Sequence, residues 1–165
     1  EYYDPMEAVT GQESESVKNK KVRSSEVRWI NPTDTNSKFI TDLLWEYVDQ
    51  SNRNAFGVNV SKIFDIQYTK YHAEKNGHYD WHQDVNWNGQ LDIDRKISMT
   101  VQLSNENEYD GGELEIKGSG DQVATAGKPL GSVIVFDSKV THRALPVTKG
   151  ERIVMVGWAA GPKLR

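Results

Sequence analysis

Cysteine is absent from the 165 residues, which excludes thiolate zinc sites, cysteine nucleophiles and disulfide frameworks. Any metal site must therefore use His, Asp or Glu. Histidine itself is scarce, because the chain has only four, His72, His78, His82 and His142. Long apolar runs are also missing: none approaches the roughly 20 residues that cross a bilayer, and the first residues lack the basic start and apolar stretch of a secretory signal.

Excess positive charge is missing as well. The formal net charge is −4, from 24 acidic and 20 basic residues, so the chain has no general attraction to phosphate backbones, although a local basic patch stays open. These properties predict a cytoplasmic protein without a membrane partner and argue against nucleic acid as its ligand. The chain begins with Glu1 rather than Met, which leaves open the loss of an N-terminal segment with a targeting signal. Oligomeric state is not predicted.

The order of apolar and polar residues predicts one mainly β domain behind a polar arm. Residues 1–26 carry both charge signs without apolar periodicity and are interpreted as an arm or loop, and residues 27–165 as a single domain. A helix is predicted over residues 37–51, where apolar residues recur at i, i+3 and i+4. Short segments rich in Val, Ile, Thr and aromatics predict strands at 27–30, 64–71, 78–84, 96–104, 112–118, 131–138 and 151–160, with turns at 109–114 and 148–151. This pattern indicates a sandwich or barrel.

His82 and Asp84 are candidate metal ligands. They stand two apart in a predicted strand, so their side chains point from the same face and can bind one ion. An iron(II) site with two His and one carboxylate needs one more ligand and leaves open positions for other molecules. His142 lies far along the chain, at the end of a predicted strand, and a closed barrel would bring it beside His82. By spacing alone, these residues could equally be polar groups in loops.

Arg152 lies on a predicted strand whose same-face neighbours, Val154, Val156 and Trp158, are apolar. A guanidinium against an apolar lining is costly unless it meets an anion, and its planar fork fits a carboxylate. The distal carboxylate of 2-oxoglutarate is a suitable anion. An ion pair with one of the many Asp or Glu side chains is the alternative.

Three stretches together resemble the iron(II)/2-oxoglutarate-dependent dioxygenases, in the prolyl 4-hydroxylase-like branch that includes the bacterial PKHD-type hydroxylases. The stretches are H-x-D at 82–84, YDGGEL at 109–114 and HRALPVTKGER at 142–152, and the resemblance covers residues 63–162. It implies a double-stranded β-helix, or jelly roll. It also implies that His82, Asp84 and His142 bind iron(II) and that Arg152 binds 2-oxoglutarate, with O2 consumed and ascorbate as the reductant.

The resemblance extends to the walls of the co-substrate pocket. Tyr71 and Leu114 match positions that line the 2-oxoglutarate pocket in this family. Gln102 stands where a Tyr or Phe often lines the same pocket, so its role is open. Each of these residues could instead serve only in strand packing.

Three further matches imply a proline-containing peptide or protein as the substrate, hydroxylated while 2-oxoglutarate and O2 become succinate and CO2. Tyr79, Arg95 and Trp158 stand at the offsets of the residues that surround the target proline in prolyl hydroxylases. On a regular strand Tyr79 would face away from His82, so the assignment requires a bulge there. The alternatives are rim packing for Tyr79, a core position for Trp158 and an ion pair of Arg95 with Asp92 or Asp94.

Two rival functions stay open. A nucleic-acid demethylase of the AlkB type shares the scaffold and can carry HQD, but its usual second arginine, six residues beyond the co-substrate arginine, is replaced by Trp158. A non-catalytic jelly-roll binding module is the other rival, since five tryptophans suit sugar stacking as well as a core. Residues 1–26 and 86–94 are interpreted either as loops that cover a substrate or as solvated connections.

Overall fold

Two antiparallel sheets and one α-helix form the fold. The computed structural model describes residues 6–7, 21–85 and 91–163. Helix α1 spans Lys38–Ser51, with a 3₁₀ turn at Thr35–Ser37 before it and a π-helical turn at Asn52–Phe56 after it. The strands are β1 (Met6–Glu7), β2 (Arg23–Ser24), β3 (Glu26–Ile30), β4 (Lys62–His72), β5 (His78–His82), β6 (Ile93–Gln102), β7 (Tyr109–Gly111), β8 (Leu114–Lys117), β9 (Val123–Thr125), β10 (Val133–Asp137), β11 (His142–Ala144) and β12 (Val147–Pro162).

The strands alternate between the two sheets along the chain. The larger sheet has the order β1-β3-β4-β12-β6-β10, with β7 paired to β12, and the smaller sheet has the order β2-β5-β11-β8-β9. From β4 onward the chain passes from the larger sheet to β5, back to β6, and later from β10 to β11 and back to β12. This winding is the jelly roll, or double-stranded β-helix, that the sequence predicted, and that prediction is confirmed.

Helix α1 covers one face of the larger sheet. Its predicted range, residues 37–51, agrees with the observed Lys38–Ser51. Leu44 and Val48 are fully buried and pack with Ile97, Met99 and neighbouring strand residues. Side chains alternate along a strand. Ser98, Thr100 and Gln102 of β6 therefore point to the opposite face, toward the smaller sheet. That inward face carries the polar residues described below.

The turn predicted at residues 148–151 is wrong. Strand β12 runs through this stretch, pairing first with β7 and then with β4. Gly150 has φ +68°, and a Cβ on it would collide with the Glu108 carbonyl oxygen. The glycine therefore bends the strand and lets it change partners where the sequence suggested a reversal.

The polar arm predicted over residues 1–26 lies partly outside the described residues, as do positions 86–90 of the predicted loop at 86–94. Where the arm is described, β1 pairs with β3, and β2 pairs with β5 beside the candidate metal ligands. Strand β3 begins at Glu26. Over the described residues, no helix combines the length and apolar composition needed to cross a bilayer.

Candidate functional site

The three predicted metal ligands meet between the two sheets. His82 ends β5 and pairs directly with His142 at the start of β11. Asp84 Oδ1 lies 3.7 Å from His82 Nε2, and Asp84 Oδ2 lies 3.5 Å from His142 Nε2. One ligand atom from each residue lies within 4.8 Å of the others. Two atoms that bind one ion at about 2.1 Å are at most about 4.2 Å apart, so both carboxylate–imidazole distances suit a shared ion.

Hydrogen bonds set the same tautomer in both imidazoles. His82 Nδ1 lies 2.7 Å from the Asp80 carbonyl oxygen, and His142 Nδ1 lies 2.9 Å from the Val140 carbonyl oxygen. A carbonyl can only accept, so each Nδ1 carries the proton and donates it. The lone pair is then on Nε2, the atom that faces Asp84. Backbone carbonyls often orient metal-binding histidines in this way.

Two buried serines position Asp84, one through its carboxylate and one through its backbone. Ser98 Oγ donates to Asp84 Oδ2 at 2.7 Å and lies 2.9 Å from Ser138 Oγ. The Ser138 carbonyl accepts a hydrogen bond from the Asp84 backbone N–H at 2.9 Å. Burial acts to raise the pKa of Asp84, but the two imidazoles and the Ser98 hydroxyl outweigh it, so the pKa lies below its usual value. Asp84 is therefore ionised at neutral pH.

The His82 imidazole is neutral at the same pH. Burial and the neighbouring His142 together lower the pKa of His82 to about 4, against the opposing effect of Asp84. Phe136 packs edge-on against the buried His142, with ring centroids 4.7 Å apart, and helps to shield that imidazole from solvent. A neutral imidazole and an ionised carboxylate are the forms that bind a divalent metal without first releasing a proton.

Tyr79 lies against the candidate ligands because β5 contains a bulge. His82 pairs with His142 and Tyr79 pairs with Ala144, so three steps along β5 oppose two along β11. The extra residue turns Tyr79 to the side of His82, as its predicted role requires. The two rings stack with centroids 3.5 Å apart and planes at 15°. The Arg23 guanidinium lies 4.5 Å from the centroid of the Tyr79 ring and donates to Gln67.

Arg95 and Trp158 also come together. The Arg95 guanidinium lies 4.0 Å from the centroid of the Trp158 ring and forms an ion pair with Asp65 of β4. Strands β12 and β6 shift register between Ala159 and Ala160, and this irregularity brings Arg95 to the face that carries Trp158. The sequence left open an ion pair of Arg95 with Asp92 or Asp94, whereas the structure gives one with Asp65 across the sheet.

Trp158 lies on the inward face, away from the core under α1. Its ring makes a tilted pair with Trp29 of β3, with centroids 6.1 Å apart. Its indole N–H is buried without a hydrogen bond of normal geometry. The same N–H is close enough to the Asp84 carboxylate to help lower the pKa of that group. Trp158 therefore connects the metal candidates to the wall that contains Arg95.

Arg152 lies in a separate cavity of the same barrel. Only 5% of the residue is exposed, and its Nε donates to Gln102 Oε1 at 3.3 Å. The guanidinium lies 5.7 Å from the centroid of the Tyr71 ring. Leu114 lines the cavity from the smaller sheet. Within residues 21–85 and 91–163, no carboxylate forms an ion pair with Arg152, so the alternative of a structural ion pair finds no partner there.

The cavity leads toward the metal candidates along two strands. On β6, Thr100 and Gln102 line the cavity, and Ser98, two residues before Thr100 on the same face, bonds Asp84. On β10, Ile134 lines the cavity, and Phe136, on the same face, contacts His142. Same-face neighbours on a strand are about 7 Å apart, which is about the length of a five-carbon dicarboxylate. The His82, Asp84 and His142 group and the Arg152 cavity therefore lie at neighbouring positions along the same inward faces of β6 and β10.

Sequence reasoning did not find several residues that support this site. Ser98 had a usable signal, because it alternates with Thr100 and Gln102 on one face of a predicted strand. Arg23 and Lys128 had none, since Arg23 lies in a two-residue strand and Lys128 in an irregular segment, and both positions depend on distant contacts. Lys128 lines the cavity next to Arg152.

Comparison with known proteins agrees with this geometry. A protein-family model described as the 2OG-Fe(II) oxygenase superfamily matches residues 66–160, more than half of the 165 residues. The chain is 38% identical over 101 residues to a PKHD-type hydroxylase of Gloeothece citriformis, covering 61% of this chain and 44% of the relative. It is 45% identical over 62 residues to a PKHD-type hydroxylase of Hyphomonas neptunium, covering 38% of this chain and 27% of the relative. The chain thus spans less than half of the length of these curated relatives.

Solved structures share the fold at low identity. A Pseudomonas putida prolyl-4-hydroxylase superposes with a TM-score of 0.67 and 20% identity, covering 86% of this chain and 71% of that one. A prolyl hydroxylase from Trichoplax adhaerens was solved in complex with a peptide fragment of the hypoxia inducible factor oxygen degradation domain. It superposes with a TM-score of 0.71 and 16% identity, covering 90% of this chain and 68% of that one. From the family match over most of the barrel, together with this fold, the chain belongs to the 2OG-Fe(II) oxygenase superfamily.

Proposed function

We propose that this chain is the catalytic domain of an iron(II)- and 2-oxoglutarate-dependent dioxygenase that hydroxylates a prolyl residue in a peptide or protein. The observation that carries the proposal is one barrel interior that holds a His82, Asp84 and His142 group at one end and a buried guanidinium at the other. We place the catalytic domain at residues 27–165, with Arg23 of the preceding arm packed against it.

His82, Asp84 and His142 hold iron(II) in this proposal. Their two Nε2 lone pairs and one ionised carboxylate form a donor set that suits this ion and leaves positions open for other molecules. Iron bound there supplies the activation of O2, coupled to conversion of 2-oxoglutarate to succinate and CO2, with ascorbate as the expected reductant. The protein's part is to orient the imidazoles through backbone carbonyls and the carboxylate through Ser98.

Arg152 binds the distal carboxylate of 2-oxoglutarate. Gln102 accepts from the Arg152 Nε and so fixes the plane of the guanidinium. Gln102 itself donates to the Tyr109 hydroxyl at 3.0 Å, which fixes the amide in turn. Tyr71 and Leu114 provide the apolar walls that exclude water from the carboxylate. A desolvated guanidinium with a set orientation distinguishes a dicarboxylate from a monocarboxylate.

Tyr79, Arg95 and Trp158 form the substrate side of the site. Two aromatic rings beside the metal candidates suit the apolar ring of proline, and Arg95 can donate to a peptide carbonyl. The peptide seen with the structural neighbour from Trichoplax adhaerens supports a peptide substrate on this fold. The Trp158 ring against Arg95 also favours this reading over the AlkB type, which would carry an arginine at that position.

The proposal is tested by incubating the protein with iron(II), ascorbate, 2-oxoglutarate and a library of proline-containing peptides. Succinate release and peptides that gain one oxygen by mass spectrometry are expected, and both should vanish in Asp84→Ala. Methylated oligonucleotides form the parallel arm. Turnover only with the oligonucleotides would replace the prolyl substrate by a nucleic acid, and absence of both succinate and 2-oxoglutarate binding would indicate a binding module.

A further inference from the structure

Lys128, which no sequence motif marks, shares the cavity with Arg152. It lies in the segment that follows β9, and its Nζ is 2.6 Å from Glu113 Oε1. The same Nζ donates to the Gly111 carbonyl at 2.8 Å. Gly111 and Glu113 both belong to the turn between β7 and β8. Lys128 therefore holds this turn, including the Glu113 carboxylate, at the edge of the cavity.

Glu113 belongs to the turn that lies against Arg152, because a Cβ added to the neighbouring Gly112 would lie 3.0 Å from Arg152 Cδ. The hydrogen bond from Lys128 lowers the pKa of the Glu113 carboxyl, burial opposes this, and the charge of Arg152 adds to the lowering. Glu113 is therefore an anion within the field of the guanidinium at neutral pH. A carboxylate on a flexible side chain at that place is a competitor for any carboxylate ligand of Arg152.

We propose that Lys128 is a positioning residue for co-substrate binding, which holds the Glu113 carboxylate away from Arg152 and so leaves the guanidinium available to 2-oxoglutarate. The inference rests on the proposed function of the cavity. It follows from the geometry: Lys128 bonds Glu113, and Arg152 has no carboxylate partner among the described residues. The net charge fits this arrangement. Lys128 and Arg152 are cations and Glu113 is an anion, so one positive charge is left to bind the distal carboxylate of 2-oxoglutarate.

A double-mutant cycle tests this inference by calorimetric titration of 2-oxoglutarate into Mn(II)-loaded protein, which needs no turnover. In Lys128→Met, the released Glu113 pairs with Arg152, and the dissociation constant of 2-oxoglutarate is expected to rise about tenfold, the effect of roughly one partly exposed charge pair. In Glu113→Gln, the competitor is gone, and the constant is expected to stay equal or fall. The combined Lys128→Met and Glu113→Gln variant should return to within about threefold of the wild type.

Lys128→Arg, which keeps the charge, is the matched control and should bind 2-oxoglutarate like the wild type. If Lys128 acted only by bracing the wall, both single variants would weaken binding and the double variant would be the weakest. That pattern, or an unchanged constant in Lys128→Met, overturns the inference while leaving the proposed function in place. Wild-type protein that binds Mn(II) but no 2-oxoglutarate overturns both. Thermal unfolding of each variant confirms that it is folded before titration.

Discussion

Tyr79 and His82 stack face to face, with ring centroids 3.5 Å apart, although they stand three residues apart in the same strand. A regular strand would place their side chains on opposite faces. The bulge in β5 that removes this conflict lies directly before the H-x-D pair, so the same irregularity that positions Tyr79 also sets the path of the chain into Asp84. The Tyr79 ring covers one face of the His82 imidazole, and the hydrogen bond to the Asp80 carbonyl fixes the orientation of the imidazole plane.

This stack predicts a graded response to substitution of Tyr79. Tyr79→Phe keeps the ring and should leave the affinity for Mn(II) within about twofold of the wild type. Tyr79→Ala removes the ring, and the affinity should fall about tenfold, in the range found for groups that orient metal ligands. Competition with a chelating dye measures both constants. Equal affinity in Tyr79→Ala would show that the backbone carbonyl alone orients His82.

Ser98→Ala should weaken metal binding without touching a ligand. The substitution removes the hydrogen bond to Asp84 Oδ2 and leaves the Ser138 hydroxyl with one partner fewer. The affinity for Mn(II) is expected to fall about tenfold. Ser24→Ala is the control, because the Ser24 hydroxyl donates to the Lys75 carbonyl at the surface. A loss of the same size in both variants would mean that the effect is not carried through Asp84.

The metal-free protein should lose stability as the pH falls from about 6.5 toward 4. The pKa of His82 is about 4 in the folded protein, below the value of 6.5 for an unperturbed histidine, so in this window the unfolded chain binds a proton that the folded chain does not. Stability therefore rises with pH across the window, by a free energy of unfolding on the order of 3 kcal/mol. Urea unfolding at several pH values measures it. His82→Gln should flatten this part of the profile, and a profile identical to the wild type would contradict the assignment.

Arg95→Met should impair peptide turnover while sparing the co-substrate. Loss of the guanidinium removes a donor to the peptide and the partner of the Trp158 ring, so kcat/KM for a proline-containing peptide is expected to fall at least about tenfold. The dissociation constant of 2-oxoglutarate should not change. Because the substitution leaves Asp65 without its ion pair, Arg95→Met is also made together with Asp65→Asn. Recovery of kcat/KM in the double variant would assign the defect to the unpaired carboxylate instead of the peptide contact.

The sequence predicted that His82, Asp84 and His142 come together, and the structure groups them. The two-residue spacing of His82 and Asp84 predicted a shared strand face, but β5 ends at His82, and Asp84 reaches the same place from the segment after the strand. The offset from His142 to Arg152 belongs to a known family pattern. The helix over residues 37–51 was readable because its apolar face has a regular period. The helix depends on local geometry that a sequence states directly.

Contacts between distant segments could not be read in this way. The pairing of Arg95 with Asp65 depends on the irregular register of β12 against β6, and the contact of Arg23 with Tyr79 depends on a two-residue strand in a polar arm. The turn at 148–151 was misread because glycine after lysine suits a reversal as well as a bend within a strand. Only the fold decides between such readings.

The second glycine of YDGGEL, Gly112, offers a sharp check on how the cavity is built. Gly112 has φ +67°, and a Cβ there would lie 2.8 Å from Val147 Cγ2 and 3.0 Å from Arg152 Cδ. Gly112→Ala is therefore expected to displace the Arg152 side chain and to weaken 2-oxoglutarate binding about tenfold.

Gly120 is a matched control, since it has φ +68° and a Cβ added to it would meet no atom within 4 Å. Both variants should lose about 1–2 kcal/mol of stability from the left-handed backbone, but only Gly112→Ala should lose affinity. Equal 2-oxoglutarate affinity in the two variants, measured by calorimetry, would mean that the Gly112 contact does not set the position of Arg152.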